Sequence, residues 1–241
     1  MNLYYTMISP VMRSILSELM LMPELSSYRL VGGTNLALQL GHRLSVDIDL
    51  FAGGGAPSPK TVSDILANQF RERIQINRIM QHGMAASIDG IKIDIYDWKV
   101  PFLYEPIVFD GIRLATIQDI FAFKCEALMG RKAEKDFVDL AEISQHHSMN
   151  ELFTIFKRRY PSYTTSVILA ILLKPELFER DLSIQYAPGK SWEEYVKSLL
   201  GSIAQYENEI TYKKKEELKY REEHIRELIE QKRKNTQKPN T

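Results

Sequence analysis

Asp47 and Asp49 flank Ile48 in the segment LSVDIDLF, residues 44–51. In an extended chain alternate side chains share a face, so both carboxylates lie on one side and Ile48 and Leu50 on the other. Two carboxylates so placed repel each other unless a cation lies between them. Hard oxygen donors of this kind suit Mg²⁺, which usually binds through one or two carboxylates together with substrate phosphates. A third carboxylate, Asp94, stands on the polar face of the run Ile91–Tyr96, beside Lys92 and Tyr96 and opposite Ile91, Ile93 and Ile95. Two Mg²⁺ ions about 3.5–4 Å apart can clamp an in-line displacement at phosphorus, activating the attacking hydroxyl and steadying the departing pyrophosphate. On this reading Asp47, Asp49 and Asp94 are metal ligands: the first two serve the nucleotide-bound ion, and Asp94 completes the second site and helps activate the acceptor. Asp97 is the alternative to Asp94; a one-residue slip does not exchange the two, although a bulge would.

The phosphates need a place as well. Just upstream, Gly32-Gly33-Thr34 forms a turn opening onto a helix start, where backbone amides can approach phosphate oxygens. Thr34 can donate its hydroxyl to a phosphate or cap the helix, and Arg43 can fork onto a triphosphate. Ser45 is a further candidate contact. Lys124 lies amid Ile120, Phe121, Phe123, Cys125 and Leu128, so it must extend to solvent or meet an anion. Asp136 or a bound triphosphate can be that anion. His42, His82, His146 and His147 have no cysteines at ligand spacing, which argues against zinc.

These residues need elements to carry them. Ser9-Pro10 opens a helix, Tyr28–Val31 is a short strand, Thr34–Leu40 a helix ended by Gly41, and Leu44–Phe51 the carboxylate strand. A helix over roughly 60–72 follows, then strands Ile74–Gln81 and Met84–Ile88. Asp89-Gly90 and Asp110-Gly111 mark hairpins. From Thr116 the period turns helical: a helix over 117–132, a second over 133–147 with Asp136 and Asp139 as surface neighbours, and two more about Pro161. Residues 174–190 read as a connection. Ser191 caps a long charged helix running to about Lys234, and the terminal QKPNT reads as disordered.

The 241 residues carry 44% hydrophobic and 26% charged side chains and no net charge, an ordinary globular composition. Residues 213–238 hold ten Lys/Arg against six Glu, a basic end of +4 that leaves −4 for the remainder. A single cysteine, Cys125, excludes an internal disulfide. With no signal peptide and no apolar run of the ~18–20 residues a span requires, the expectation is a soluble cytoplasmic protein that does not enter a membrane.

A Gly-Gly turn followed about a dozen residues later by Asp-x-Asp resembles nucleotidyltransferases with a DNA-polymerase-beta-like palm. The fuller string GGTNLALQL…HRLSVDIDLF, with FKCEALMGRKAEKDFVDL downstream, is similar to the AbiEii/AbiGii toxins of abortive-infection and toxin–antitoxin systems. The resemblance covers roughly residues 28–145 and matches Lys124, Arg131, Lys135, Asp136 and Asp139. With the change of period at Thr116, which sets the bounds, the resemblance implies an α+β fold: a nucleotidyltransferase palm over 1–115 with a mixed, mostly antiparallel sheet, then a helical domain over 116–241. It further implies that Lys124 contacts the nucleotide phosphates and that Asp136 assists the acceptor or positions Lys124. The implied activity is transfer of NMP from an NTP to an acceptor hydroxyl, such as a tRNA 3′ end or another RNA, under control of an antitoxin protein. Two other readings stand beside it: the same chemistry on a small molecule or protein, and a non-catalytic nucleotide- or RNA-binding module.

Overall fold

The computed structural model describes residues 2–236, with side chains to residue 229. The Ser9 hydroxyl accepts the Met12 amide and starts α1 (Pro10–Leu21). There follow β1 (Arg29–Val31), α2 (Gly32–Leu40), β2 (Asp47–Ala52), α3 (Pro59–Phe70), β3 (Ile74–Ile79), β4 (Gly83–Ile88), β5 (Ile91–Asp97), β6 (Ile107–Phe109) and β7 (Ile112–Leu114). Asp89 and Asp110, at φ 48° and 49°, precede Gly90 and Gly111 at 82° and 77°. Two successive positive φ values are what a tight hairpin turn demands.

The strands form one seven-stranded sheet in the order β3-β4-β5-β2-β1-β7-β6. The pairs β2–β5 and β1–β7 are parallel and the others antiparallel. The helices α4 (Ile117–Ala127), α5 (Glu134–His146), α6 (Met149–Arg159), α7 (Thr165–Leu172) and α8 (Trp192–Thr236) complete the α+β architecture. Among the described residues no helix is long and apolar enough to cross a membrane.

Strand alternation gives the sheet two unlike faces. Ile48, Leu50, Ile93 and Ile95 are buried against Leu16 and Leu19 of α1 and Leu66 and Phe70 of α3. The other face presents Asp47, Asp49, Phe51, Asp94 and Tyr96, all half-buried. A second core, with Phe121, Phe137, Phe153, Tyr195 and Leu199, joins α4, α5, α6 and α8, and it takes in Val31 and Leu36.

Several elements differ from the sequence reading. The carboxylate strand begins at Asp47 rather than Leu44, because the residues before it are engaged elsewhere. Arg43 bridges to Tyr186, the Leu44 amide donates to the Gln185 carbonyl, and the Ser45 amide to that of Met7. The segment expected as a plain connection over 174–190 therefore supports the approach to the site. Helix α4 stops at Ala127, five residues early, where the amides of Met129 and Gly130 turn back onto Glu126 and Ala127. Asp136 and Asp139 are not surface neighbours: both are fully buried, because α5 is enclosed on nearly every side. In α8 the pair Glu217–Arg221 closes at 2.7 Å. The terminal QKPNT lies outside the described residues.

Arg113 of β7 ties the first layer together, its guanidinium donating to the carbonyls of Met20, Leu25 and Tyr28 at 2.8–2.9 Å. Replacement Arg113→Ala removes a donor from each of three carbonyls, of which Leu25 keeps the Tyr28 amide, and is expected to cost about 2–4 kcal/mol in urea unfolding. Arg113→Lys is expected to recover less than half, because an ammonium cannot reproduce the planar fork. Parental stability in Arg113→Ala would refute this role.

Candidate active site

Strand β1 runs straight into α2 with no loop between them, and Gly32 makes the junction at φ 69°. A Cβ there would lie 2.2 Å from Asp49 Oδ2, and one on Gly33 would lie 2.2 Å from Arg43 Nη2. The two glycines thus make room for two functional side chains as well as baring the first amides of α2. No side chain caps that end, which leaves its amides available to an anion.

The parallel register of β2 on β5 sets Asp47 opposite Lys92, Asp49 opposite Asp94, and Phe51 opposite Tyr96. Asp94, not Asp97, is therefore the third carboxylate on this face. Asp97 is buried on the reverse side and bonded to Lys99 at 2.5 Å. Burial, then the charges of Asp47 and Asp94, push Asp49 up to about 7. Lys135 approaches Asp47 at 3.5 Å and Lys92 meets Asp94 at 2.6 Å. Among the described residues no group of three His, Cys, Asp or Glu side chains is arranged to hold a metal by itself. The donors are nonetheless hard oxygens, crowded enough to favour a cation between them. They fit Mg²⁺ in the manner in which that ion relies on substrate phosphates and water to complete its shell.

Behind the carboxylates lies a buried ionic network. Asp139 accepts Arg43 through both oxygens at 2.8 and 2.9 Å, Lys124 at 2.6 Å and His42 Nε2 at 2.7 Å. Lys124 also donates to Asp136 at 2.8 Å, and Asp136 takes the Arg131 guanidinium at 2.8 and 3.2 Å. Burial pushes both aspartates up, but Arg43 and Lys124 at Asp139, and Lys124 and Arg131 at Asp136, outweigh it and hold them below the carboxylate range. Burial lowers Lys124, and the two aspartates more than restore it, so its charge is secure.

Some expected roles change. The Arg43 fork grips Asp139, so its planar donors position α5 instead of standing free for a triphosphate. Thr34 neither caps α2, whose N-cap is Val31, nor stands exposed. It is buried, donating to the Asp47 carbonyl and accepting from the Ser45 hydroxyl at 2.8 Å. Ser45 in turn reaches Asp47 Oδ1 at 3.5 Å. Both hydroxyls hold the start of β2 in place. The carboxylates, Gly32, Gly33, Arg43 and Lys124 all line one cleft of 580 Å³, joined by Arg131 and Lys135. In the sequence Asp139 stands out only as a surface neighbour of Asp136 and as part of the motif that carries the family resemblance, and His42 only as an imidazole without cysteine partners; the bond between the two is not foreseen. Nothing near His42 in the chain points to a carboxylate 97 residues away.

His42 offers a test of the network. Because Asp139 stays ionised, Nε2 of the imidazole donates, and the buried Nδ1 has no hydrogen-bond partner among the described residues. Burial lowers the imidazole from its ordinary 6.5, despite Asp139. Below about pH 6.5 the unfolded chain thus takes up a proton that the folded one refuses, and stability drops as pH falls. Urea titrations between pH 7 and 5 should show this loss in the parent and a shallower one in His42→Gln. Identical slopes would refute it.

The fold has counterparts among solved structures. A candidate nucleotidyltransferase from H. pylori superposes with a TM-score of 0.53 at 19% identity, over 83% of this chain and 93% of its own. MenT4, a nucleotidyltransferase toxin from Mycobacterium tuberculosis, gives 0.51 at 16% identity, over 79% and 83%. An uncharacterized protein of Aquifex aeolicus is 26% identical over 200 residues, 80% of this chain and 95% of that one. The sequence profile of the nucleotidyl transferase AbiEii toxins of type IV toxin–antitoxin systems matches residues 14–216, and with the palm carboxylates in place this chain belongs to that nucleotidyltransferase family.

Proposed function

We propose that the chain transfers NMP from an NTP to the 3′ hydroxyl of a tRNA or another RNA, in a Mg²⁺-dependent reaction restrained by an antitoxin protein. The observation that carries this reading is the register of Asp49 on Asp94 beside the Gly32 turn. Family membership supports the toxin context, and the basic end of the chain suits a polyanionic acceptor. The boundary near residue 115, with a palm before it and a helical domain after it, belongs to the same proposal.

Asp47, Asp49 and Asp94 would hold the metal, which when bound supplies Lewis-acid stabilisation of phosphate charge and eases ionisation of the acceptor hydroxyl. The first amides of α2, at Gly32 and Gly33, bind phosphate oxygens at the positive end of the helix dipole. Lys135 and Arg131, with side chains 40% and 58% exposed, can leave their carboxylate partners for the triphosphate. Lys124 stays fixed between Asp136 and Asp139 and holds positive charge at the back of the cleft. As the acceptor oxygen bonds to the α-phosphorus, its proton passes to Asp94 and the bond to pyrophosphate breaks.

Incubation with Mg²⁺, each α-labelled NTP and total tRNA should transfer label to RNA. No labelled product with any NTP, together with no NTP binding by calorimetry, would reject the reading, and label on protein or small molecules alone would reject the RNA acceptor. Asp49→Asn and Asp94→Asn should each lower transfer about 10²–10³-fold. In the absence of divalent cations Asp49→Asn should melt no lower than the parent, since it relieves like-charge repulsion. Gly32→Ala, whose methyl group would collide with Asp49, should lower transfer as well.

A further inference from the structure

We propose that the far end of the cleft, formed by Phe51, Tyr96, Trp98 and Phe123, is a stacking platform for the base of the nucleoside triphosphate. The proposal rests on the nucleotide reading above and adds where the base goes. Phe51 follows Asp49 by two residues and Tyr96 follows Asp94 by two, so the face that bears the carboxylates continues directly into aromatic rings. Two residues of strand advance about 7 Å, a separation that a ribose can bridge between an α-phosphate at the carboxylates and a base at the rings. The Trp98 amide donates to the Ala52 carbonyl at 2.9 Å, which carries the β2–β5 pairing one step further and fixes the indole.

The rings are mutually braced. Trp98 lies parallel to Phe51, with centroids 5.6 Å apart and planes within 3°. Phe123 of α4 stands edge-on to both, at 5.8 and 6.4 Å. Behind Phe123, the buried Arg159 guanidinium sits 4.2 Å from its ring centre. Despite this support Trp98 remains 36% exposed. A large indole left open inside a cleft, held by rings but not covered by them, is suited to a flat π-surface arriving from solvent. The opposite end is already committed to charge, by Arg43, Lys124, Arg131 and Lys135. A triphosphate seated there leaves only the aromatic end for the base, and 580 Å³ falls within the roughly 300–1,000 Å³ of small-molecule sites.

The chain has two tryptophans. Trp192 packs on Phe137 and Arg180 at the start of α8, outside the cleft, so Trp192→Phe leaves Trp98 as the sole indole reporter. In that full-length variant with Mg²⁺, each NTP should change tryptophan emission saturably, whereas inorganic triphosphate should bind without the change. By calorimetry Trp98→Leu should weaken NTP binding about tenfold or more while leaving inorganic triphosphate unaffected. Trp98→Phe, which keeps an aromatic face, should restore most of the loss. NTP binding with silent Trp98 emission and undiminished affinity in Trp98→Leu would overturn the platform alone. So would equal weakening of NTP and inorganic triphosphate in Trp98→Leu. Failure of both ligands to bind the parent would overturn the nucleotide site and the platform with it.

Discussion

Like charges meet at the centre of the sheet. Asp49 and Asp94 are direct cross-strand neighbours, and Asp47 stands two residues away on the same face. Nothing in strand pairing favours this arrangement, and opposed like charges destabilise a sheet. It persists because Ile48, Leu50, Ile93 and Ile95, on the reverse side of the same strands, are buried in a core that admits no slip of register. Hydrophobic packing on one face thus imposes electrostatic strain on the other. Lys92 and Lys135 relieve it in part from the edges, leaving Asp49 the least satisfied of the three.

A second charged cluster solves a different problem. Asp136, Asp139, Arg43, Lys124 and His42 are all buried, and buried ion pairs are a poor source of net stability because desolvation offsets their attraction. What this one contributes is position. Asp139 receives groups from the segment before β2, from α4 and, through its own backbone, from α5, so three elements far apart in sequence share one carboxylate. The segment around Gln185–Ala187 closes the same region through backbone bonds to His42 and Leu44.

Local patterns made the palm legible. Alternation in Ile91–Tyr96, the Asp-Gly turns and the glycine pair are short-range signals, and the elements they announce are those found, within a few residues. The carboxylate positions followed from period two alone. The enclosure of α5 was not legible in the same way: Asp136 and Asp139 are charged, and it takes Lys124, Arg131, Arg43 and His42, brought from other parts of the chain, to let them be buried. Arg43 and Thr34 were misjudged for a related reason. A donor near a glycine turn looks ready for phosphate, yet here the nearest acceptors are a distant aspartate and a neighbouring carbonyl. Phe51 and Tyr96 sat in plain alternation with the carboxylates, but a period-two pattern does not distinguish a ring that packs from one that receives a ligand.

Helix α2 contributes Leu38 to the core beneath the sheet and Leu36 to the core among the helices. It is in effect a rivet driven through both layers. Parting the helices from the sheet would tear Leu36 from its packing or drag Leu38 with it. Packing on both sides thus sets the width of the cleft, and the groups at its mouth with room to move are the exposed ends of Arg131 and Lys135.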